Sequence, residues 1–272
     1  MINHQTLYEL DKKEIQLQLK NTELKKQKLF IYFILGGMLL FIAFLIQVFI
    51  NLKRKKKLNN ELSLEKTKTD QLLLNIIPEK FLPELKETGK IIPQTYDNVT
   101  IFFSDIVNFT SIFAQLPPED LIDELNEIFT YFDGIMDRHN CERIKTVGDA
   151  YMAVCGIPVR NTDHAENMMA AAIEVRNYLN ERNKTAKNKL SVRMGINSGT
   201  VVGGMVGIKK YVFDIFGDTV NTASKMEHYS ESMKINVTEG TYHRLKSKYR
   251  FIERTPIEVK GKGMLKMYFL ED

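Results

Sequence analysis

Two carboxylates stand at bends that end apolar runs, a placement suited to metal chemistry. The first, Asp105, closes Val99-Thr100-Ile101-Phe102-Phe103-Ser104 and is followed by Ile106-Val107-Asn108-Phe109-Thr110. The second, Asp149, follows Ile144-Lys145-Thr146-Val147-Gly148 and opens Ala150-Tyr151-Met152-Ala153. An acid at the exposed end of a buried strand is held rigidly where a cation can reach it. Two such acids brought together can hold one or two Mg²⁺, which takes carboxylate oxygens together with substrate phosphates. Taken singly, each Asp reads equally well as the cap of a turn or helix. Asn221 and Lys225 are four residues apart and share one helical face. Val259-Lys260-Gly261-Lys262-Gly263 sets two cations in a flexible turn. Carboxylates for metal, with an amide and several cations for phosphate, form a nucleotide-handling set.

On these segments, in this order, the chain resembles the catalytic domain of class III nucleotidyl cyclases. These enzymes make 3′,5′-cyclic nucleotides from nucleoside triphosphates. The resemblance runs from Asn98 to the C-terminus. It implies that Asp105 and Asp149 bind two Mg²⁺ per site, with the Ile106 carbonyl assisting and Mn²⁺ able to substitute. One ion would acidify the ribose 3′-hydroxyl for attack on the α-phosphorus. The other would hold the triphosphate and neutralise the departing pyrophosphate. The turn at Asn108 leads into a helix N-terminus, where Phe109 and Thr110 offer amides to phosphate oxygens. Most relatives carry Gly where this chain has Asn108, and Asn tolerates a left-handed backbone better than most residues. Arg193 matches the family's triphosphate arginine, and Lys260 matches the lysine that reaches the terminal phosphates. Asn221 and Lys225 match the pair that orients the ribose and stabilises the transition-state phosphate. The family usually has Arg in place of Lys225; lysine keeps the charge and loses the planar fork that grips two oxygens.

Within the same resemblance, base choice falls to Lys145 and Asp214. Adenine presents N1 as an acceptor and N6 as a donor, so it asks for a donor and an acceptor from the protein. Lysine and aspartate supply that pair. Guanine presents the opposite pattern, and guanylyl relatives usually show Glu and Cys at these positions. The resemblance therefore implies an adenylyl cyclase acting on ATP. A guanylyl cyclase and a catalytically weak nucleotide-binding regulatory module are the alternatives. The family assembles its sites at a head-to-tail twofold interface. Asp105, Asp149 and Arg193 would come from one subunit; Lys145, Asp214, Asn221, Lys225 and Lys260 would come from the other. One chain that holds the whole set implies a homodimer with two equivalent sites.

The elements that must hold these residues follow from composition and pattern. With 272 residues, 44% hydrophobic and 26% charged, the chain has room for one globular domain plus extras. A net charge of +4 gives no case for a nucleic-acid partner. Cys141 and Cys155 are the only cysteines, too few for a disulfide scaffold or a cysteine-based zinc site. The catalytic part reads as a reduced cytosolic domain.

Residues 29–50 contain no charged side chain. At about 1.5 Å per residue they span roughly 33 Å, enough for the hydrocarbon core of a bilayer. Lys53-Arg54-Lys55-Lys56-Lys57 follows, in place of the small-residue cleavage site of a signal peptide. Lys25, Lys26 and Lys28 precede the span, so the heavier positive flank lies on its C-terminal side. The positive-inside rule then puts the catalytic domain in the cytoplasm of a single-pass protein of the cell (inner) membrane. The divisions read as an N-terminal helical segment (1–28), a transmembrane helix (29–52), a basic juxtamembrane and coiled-coil linker (53–92), and the catalytic domain (93–272). Leu58, Leu62, Glu65, Thr69, Leu72 and Ile76 keep a heptad spacing whose middle is weak. Pro78 and Pro83 break that helix, and Ile91-Ile92-Pro93 leads extended chain into the first catalytic strand.

Beyond it the pattern predicts a strand over 99–104, a helix over 107–115, and a second helix over 121–138 opened by Pro117-Pro118. Strands at 143–147 and 150–154 follow, then a helix over 164–181. A hairpin pairs 190–196 with 200–206 through Asn197-Ser198-Gly199. A helix over 219–229 and a hairpin around 261–263 complete the chain. The class is α+β: a ferredoxin-like βαββαβ cyclase domain with extra C-terminal strands, preceded by a transmembrane helix and a coiled-coil helix.

Overall fold

No proline interrupts the chain before Pro78, and His4–Leu74 forms one helix, α1. The computed structural model describes residues 4–74, 76–113, 117–207, 212–259 and 261–271. The chain divides into two units, Met1–Thr69 and Asp70–Asp272. In the first unit the apolar side chains of α1, Leu29, Phe33, Leu40 and Phe44 among them, are exposed on every face. Among the described residues this is the one helix long and apolar enough to cross a membrane. Leu58 and Leu62 are exposed as well.

In the second unit α1 ends at Leu74, two residues short of the heptad position expected at Ile76. The amides of Ile76 and Ile77 instead turn back onto the Leu73 carbonyl, each at 3.0 Å. A 3₁₀ turn (Glu79–Phe81) follows Pro78, then α2 (Leu82–Thr88). Pro83 was expected to break a helix, and it instead sits in the first turn of this one, where its missing N–H costs nothing.

The second unit then runs β1 (Gln94–Ile106), α3 (Phe109–Phe113), α4 (Pro118–Arg138), β2 (Cys141–Val147), β3 (Ala150–Cys155), α5 (His164–Arg182) and β4 (Val192–Val206). It continues through β5 (Val212–Phe216), α6 (Asp218–His228), β6 (Ile235–Thr238), α7 (Glu239–Leu245), β7 (Phe251–Glu253), β8 (Ile257–Val259), β9 (Gly263–Leu265) and β10 (Met267–Leu270). The helix expected over 107–115 begins only at Phe109, and positions 114 and 115 lie outside the described residues.

The sheet order is β2-β3-β1-β4-β6-β10-β7, with β5 added to β4. β1 runs antiparallel to both β3 and β4, while β4 and β6 are parallel. The order β2-β3-β1-β4, with helices between β1 and β2 and between β3 and β4, is the ferredoxin-like arrangement. Alternation along β1 feeds two cores. Phe102 joins Ile128, Phe132, Met168 and Leu179 under α4 and α5. Ile101 joins Phe81, Val154, Phe213 and Ala223 on the other face. The β8–β9 hairpin closes at Val259 opposite Gly263, as expected.

The hairpin expected through Asn197-Ser198-Gly199 does not form; β4 is one strand of 15 residues. The three residues are shaped by neighbours instead of by a turn. Asn197 Nδ2 donates to the Thr219 carbonyl at 2.9 Å, and its Oδ1 accepts from the Thr238 hydroxyl at 2.8 Å. A Cβ at Gly199 would come within 2.6 Å of Thr219 Oγ1, so the glycine admits α6 to the sheet.

Candidate active site

Strand register assembles the first group. Asp105 on β1 and Arg193 on β4 are direct cross-strand partners. Arg193 Nη2 donates to Asp105 Oδ2 at 2.6 Å, and Nε donates to Glu227 Oε1 at 3.0 Å. The β2–β3 turn brings Asp149 to the same place. It depends on Gly148 at φ 65°, a left-handed conformation that costs glycine nothing. Burial, and then the charge of Asp105, push the Asp149 carboxyl above its ordinary value; the Ile106 amide, donating to it, opposes this. Two carboxylates so close repel, and a divalent cation between them removes that repulsion. Asp105, Asp149 and the backbone at Ile106 therefore fit a hard, oxygen-seeking ion such as Mg²⁺. Among the described residues no group of three or more His, Cys, Asp or Glu stands ready to hold a metal. A pair of carboxylates suits an ion that shares its coordination with water and substrate phosphates.

Asn108 takes φ 58°, the left-handed backbone expected of it. Its carbonyl accepts from the Ser111 and Ile112 amides, both at 3.0 Å, which starts α3. Phe109 packs against the core and Thr110 is exposed at the head of this short helix.

Helix α6 carries the second group. It buries Thr222, Ala223 and Met226 and leaves Asn221 and Lys225 exposed. It packs so tightly on β4 that a Cβ at Gly195 would lie 1.9 Å from the Glu227 nitrogen. That approach is what lets Glu227 reach Arg193. Burial pushes the Glu227 carboxyl up to about 7, with Arg193 opposing and Asp105 adding to the rise. Sequence reasoning missed Glu227, because six residues past Asn221 it lies off that residue's face. It counted Lys262 among the turn's two cations but gave it no partner; the Lys262 Nζ donates to Asp218 Oδ2 and Thr222 Oγ1, each at 2.5 Å. These bonds tie the β8–β9 turn to the first turns of α6. The spacing in Val259-Lys260-Gly261-Lys262-Gly263 was the available signal, but it pointed to Lys260, which lies outside the described residues.

A third group forms where β2 and β5 approach. Lys145 Nζ donates to Asp214 Oδ2 at 2.5 Å, and Asp214 Oδ1 accepts from the Ile215 amide at 2.9 Å. The Asp214 side chain is 16% exposed and that of Lys145 38%, so the pair meets at the surface. Among the described residues no hydrogen bond or ion pair joins Lys145, Asp214, Asn221 or Lys225 to Asp105 or Asp149.

Residues 91–272 match the family described as the adenylate and guanylate cyclase catalytic domain. Guanylate cyclase soluble subunit beta-2 of Rattus norvegicus is 38% identical over 225 residues, which cover 80% of this chain and 33% of that protein. An adenylate cyclase of Mycobacterium bovis is 35% identical over 207 residues, 76% of this chain and 47% of that protein. The chain thus spans a third to a half of the length of these relatives. The catalytic core of a rhodopsin-guanylyl cyclase with converted specificity, solved in complex with ATPαS, is similar with a TM-score of 0.61. It is 37% identical, and the match covers 65% of this chain and 97% of that one. With acids, arginine and helix brought together as described, and with this match over residues 91–272, the chain belongs to the class III nucleotidyl cyclases, the adenylate and guanylate cyclase catalytic domain family.

Proposed function

We propose that the chain is an adenylyl cyclase, converting ATP to 3′,5′-cyclic AMP and pyrophosphate at two equivalent sites shared across a homodimer. The observation that carries this reading is the Lys145–Asp214 contact at 2.5 Å. It sets a donor beside an acceptor, the complement of adenine N6 and N1. Asp105, Asp149 and the Ile106 carbonyl would hold Mg²⁺, or Mn²⁺ in its place. The bound metal supplies Lewis acidity at the ribose 3′-hydroxyl and the phosphates. The 3′-oxygen bonds to the α-phosphorus, the bond from that phosphorus to the bridging β-phosphate oxygen breaks, pyrophosphate leaves with the electron pair, and the hydroxyl proton passes to solvent water. Arg193 and Lys260 neutralise the triphosphate, and the Phe109 and Thr110 amides donate to its oxygens. Asn221 orients the ribose, and Lys225 meets the charge that grows on the phosphate in the transition state.

The homodimer is supported by the exposure of Asn221 and Lys225, which among the described residues have no bond to Asp105 or Asp149 of their own chain. In this reading residues 29–52 anchor the protein in the inner membrane and 53–92 connect the anchor to a cytoplasmic domain over 93–272. The exposed apolar length of α1 and its basic flank support that anchor.

A guanylyl cyclase is favoured by the 38% identity to the rat guanylate cyclase subunit. Product formation from ATP and from GTP, each with Mg²⁺ and with Mn²⁺, separates the readings. ATP should be preferred by roughly tenfold or more in kcat/KM, since each unpaired polar group costs about 1–3 kcal/mol. Lys145→Glu with Asp214→Cys should depress ATP use. Equal efficiency with both nucleotides would remove the basis for the assignment, and no product from either would leave a nucleotide-binding module.

A further inference from the structure

Beside the start of α5, well separated in the fold from the acids, lies a cavity of about 370 Å³ lined by Arg160, Arg244, His164, Asn98, Asn161 and Asp97 among others. Its arginine donors are unspent. Arg138, Arg143, Arg182, Arg193 and Arg254 are all ion-paired. Among the described residues Arg160 and Arg244 have neither an ion pair nor a hydrogen bond, although both line one cavity. His164 is only 2% exposed and lines it too. Its Nδ1 is engaged with Thr100 Oγ1 at 2.6 Å, and Nε2 has no protein partner among the described residues. Burial, and then the nearby charge of Arg244, hold the imidazole below its ordinary value. Asp97 is the one acid of the lining, and it already accepts from the Thr200 hydroxyl at 3.4 Å. The N-cap of α5, Asp163, makes no side-chain capping bond, and its charge, which acts on His164, offsets part of the positive field of the two arginines and the helix start.

The ring nitrogen of His164 that Thr100 leaves free has the cavity beside it, and guanidinium forks are matched to oxyanions. We propose that this cavity binds the phosphoryl group of a small phosphomonoester, as a site separate from the one that takes the nucleoside triphosphate. Two forks and a ring nitrogen can engage the three terminal oxygens of a phosphate monoester dianion; a carboxylate offers two oxygens and half the charge. The volume lies at the lower end of the range for small-molecule sites, larger than a bare ion needs. Occupancy has a route to α6. From His164 the hydrogen bonds pass through Thr100 to Ser198 at 2.8 Å, to Thr241 at 3.1 Å, and to Thr238 at 3.1 Å. Asn197 continues the chain to the Thr219 carbonyl in the first turn of the helix that carries Asn221 and Lys225.

Calorimetric titration of the full chain in phosphate-free buffer tests the site, with glycerol 3-phosphate as the probe and inorganic phosphate and acetate alongside. Glycerol 3-phosphate should bind once per chain, more tightly than inorganic phosphate and at least tenfold more tightly than acetate. Arg160→Met with Arg244→Met should weaken it a hundredfold or more, and Arg244→Gln alone about tenfold. Arg193→Met, in the nucleotide site, should leave it unchanged. Neither cavity arginine is ion-paired, so thermal melts of these variants should match wild type. Absence of binding, retention in the double variant, loss in Arg193→Met, or acetate binding as tightly as the ester would each overturn the proposal.

Discussion

Replacing Gly195 with alanine should damage turnover far more than folding. Its Cβ would lie 1.9 Å from the Glu227 nitrogen, 2.5 Å from the Met226 carbonyl carbon and 2.6 Å from the Glu227 Cα. All three are backbone atoms, so no rotamer change relieves the clash. Unbonded heavy atoms settle at roughly 3.5 Å, so α6 must retreat from β4 by about 1.5 Å. Overpacking of this kind costs about 1–3 kcal/mol. For a unit the size of Asp70–Asp272 that lowers the melting temperature by roughly 2–12 °C. The chemistry is less forgiving: moving positioned groups by about 1 Å costs on the order of 100-fold in rate. Asn221 and Lys225 ride on the displaced helix, and the Glu227–Arg193 bond of 3.0 Å is broken with them. Cyclic AMP formation, measured at saturating ATP and Mg²⁺ and well below the melting midpoint, should show kcat down about 100-fold. KM should change less, because Lys145 and Asp214 lie outside α6. A variant that melts cooperatively and keeps kcat within about threefold of wild type would refute the reasoning. Either the helix would then not be registered by this contact, or it would not carry the chemistry.

Mixing Asp105→Asn with Asn221→Ala, each nearly inactive as a homodimer, should restore activity to about one quarter of wild type. Half the dimers are then mixed and each has one intact site; heterodimers that form without activity would mean that both residues serve within one chain. Lys225→Arg should keep or raise kcat with little change in KM, and Lys225→Ala should lower kcat sharply. An unchanged kcat in the alanine variant would remove Lys225 from the site. His164 has a folded-state pKa lowered from 6.5, so the unfolded chain takes up the proton first as pH falls. Its contribution therefore makes stability rise with pH across the window just below about 6.5, and that stability is lost as pH drops through it. Thermal melts between about pH 7.5 and 5 should show a shallower decline for His164→Gln, and parallel curves would contradict the assigned burial.

The legible parts of this fold are those governed by short-range rules. The apolar runs up to Asp105 and to the Gly148-Asp149 bend located the turn and came within two residues of the end of β1. That strand starts earlier than expected, at Gln94, and carries Asp105 inside its last two residues; Asn108 was read correctly as a left-handed position. The i, i+4 spacing put Asn221 and Lys225 on one face of a helix, which they share. Errors arose where a local signal had a distant cause. Asn197-Ser198-Gly199 has the composition of a turn, yet its side chains answer to Thr219, Thr238 and Thr100 across the sheet. Pro83 reads as a breaker in a continuing helix and as an opener in a new one, and only the end of α1 at Leu74 decides between them.

The sequence by itself determined the inventory and its order: two acids at bends, an arginine, a lysine–aspartate pair, an amide and a lysine on one helix, and an apolar segment long enough for a bilayer. Tertiary structure alone decided the pairings. Asp105 and Arg193 are 88 residues apart and meet because antiparallel register makes them neighbours. Lys145 and Asp214 are 69 apart and meet because β5 folds back along β4 toward β2. Glu227 reaches Arg193, and Lys262 reaches Asp218, only through the approach of α6 to Gly195 and of the β8–β9 turn to α6. Propensity and periodicity act over a few residues, whereas register and backbone approach are set by the packing of the whole sheet, and no short window of sequence contains that information.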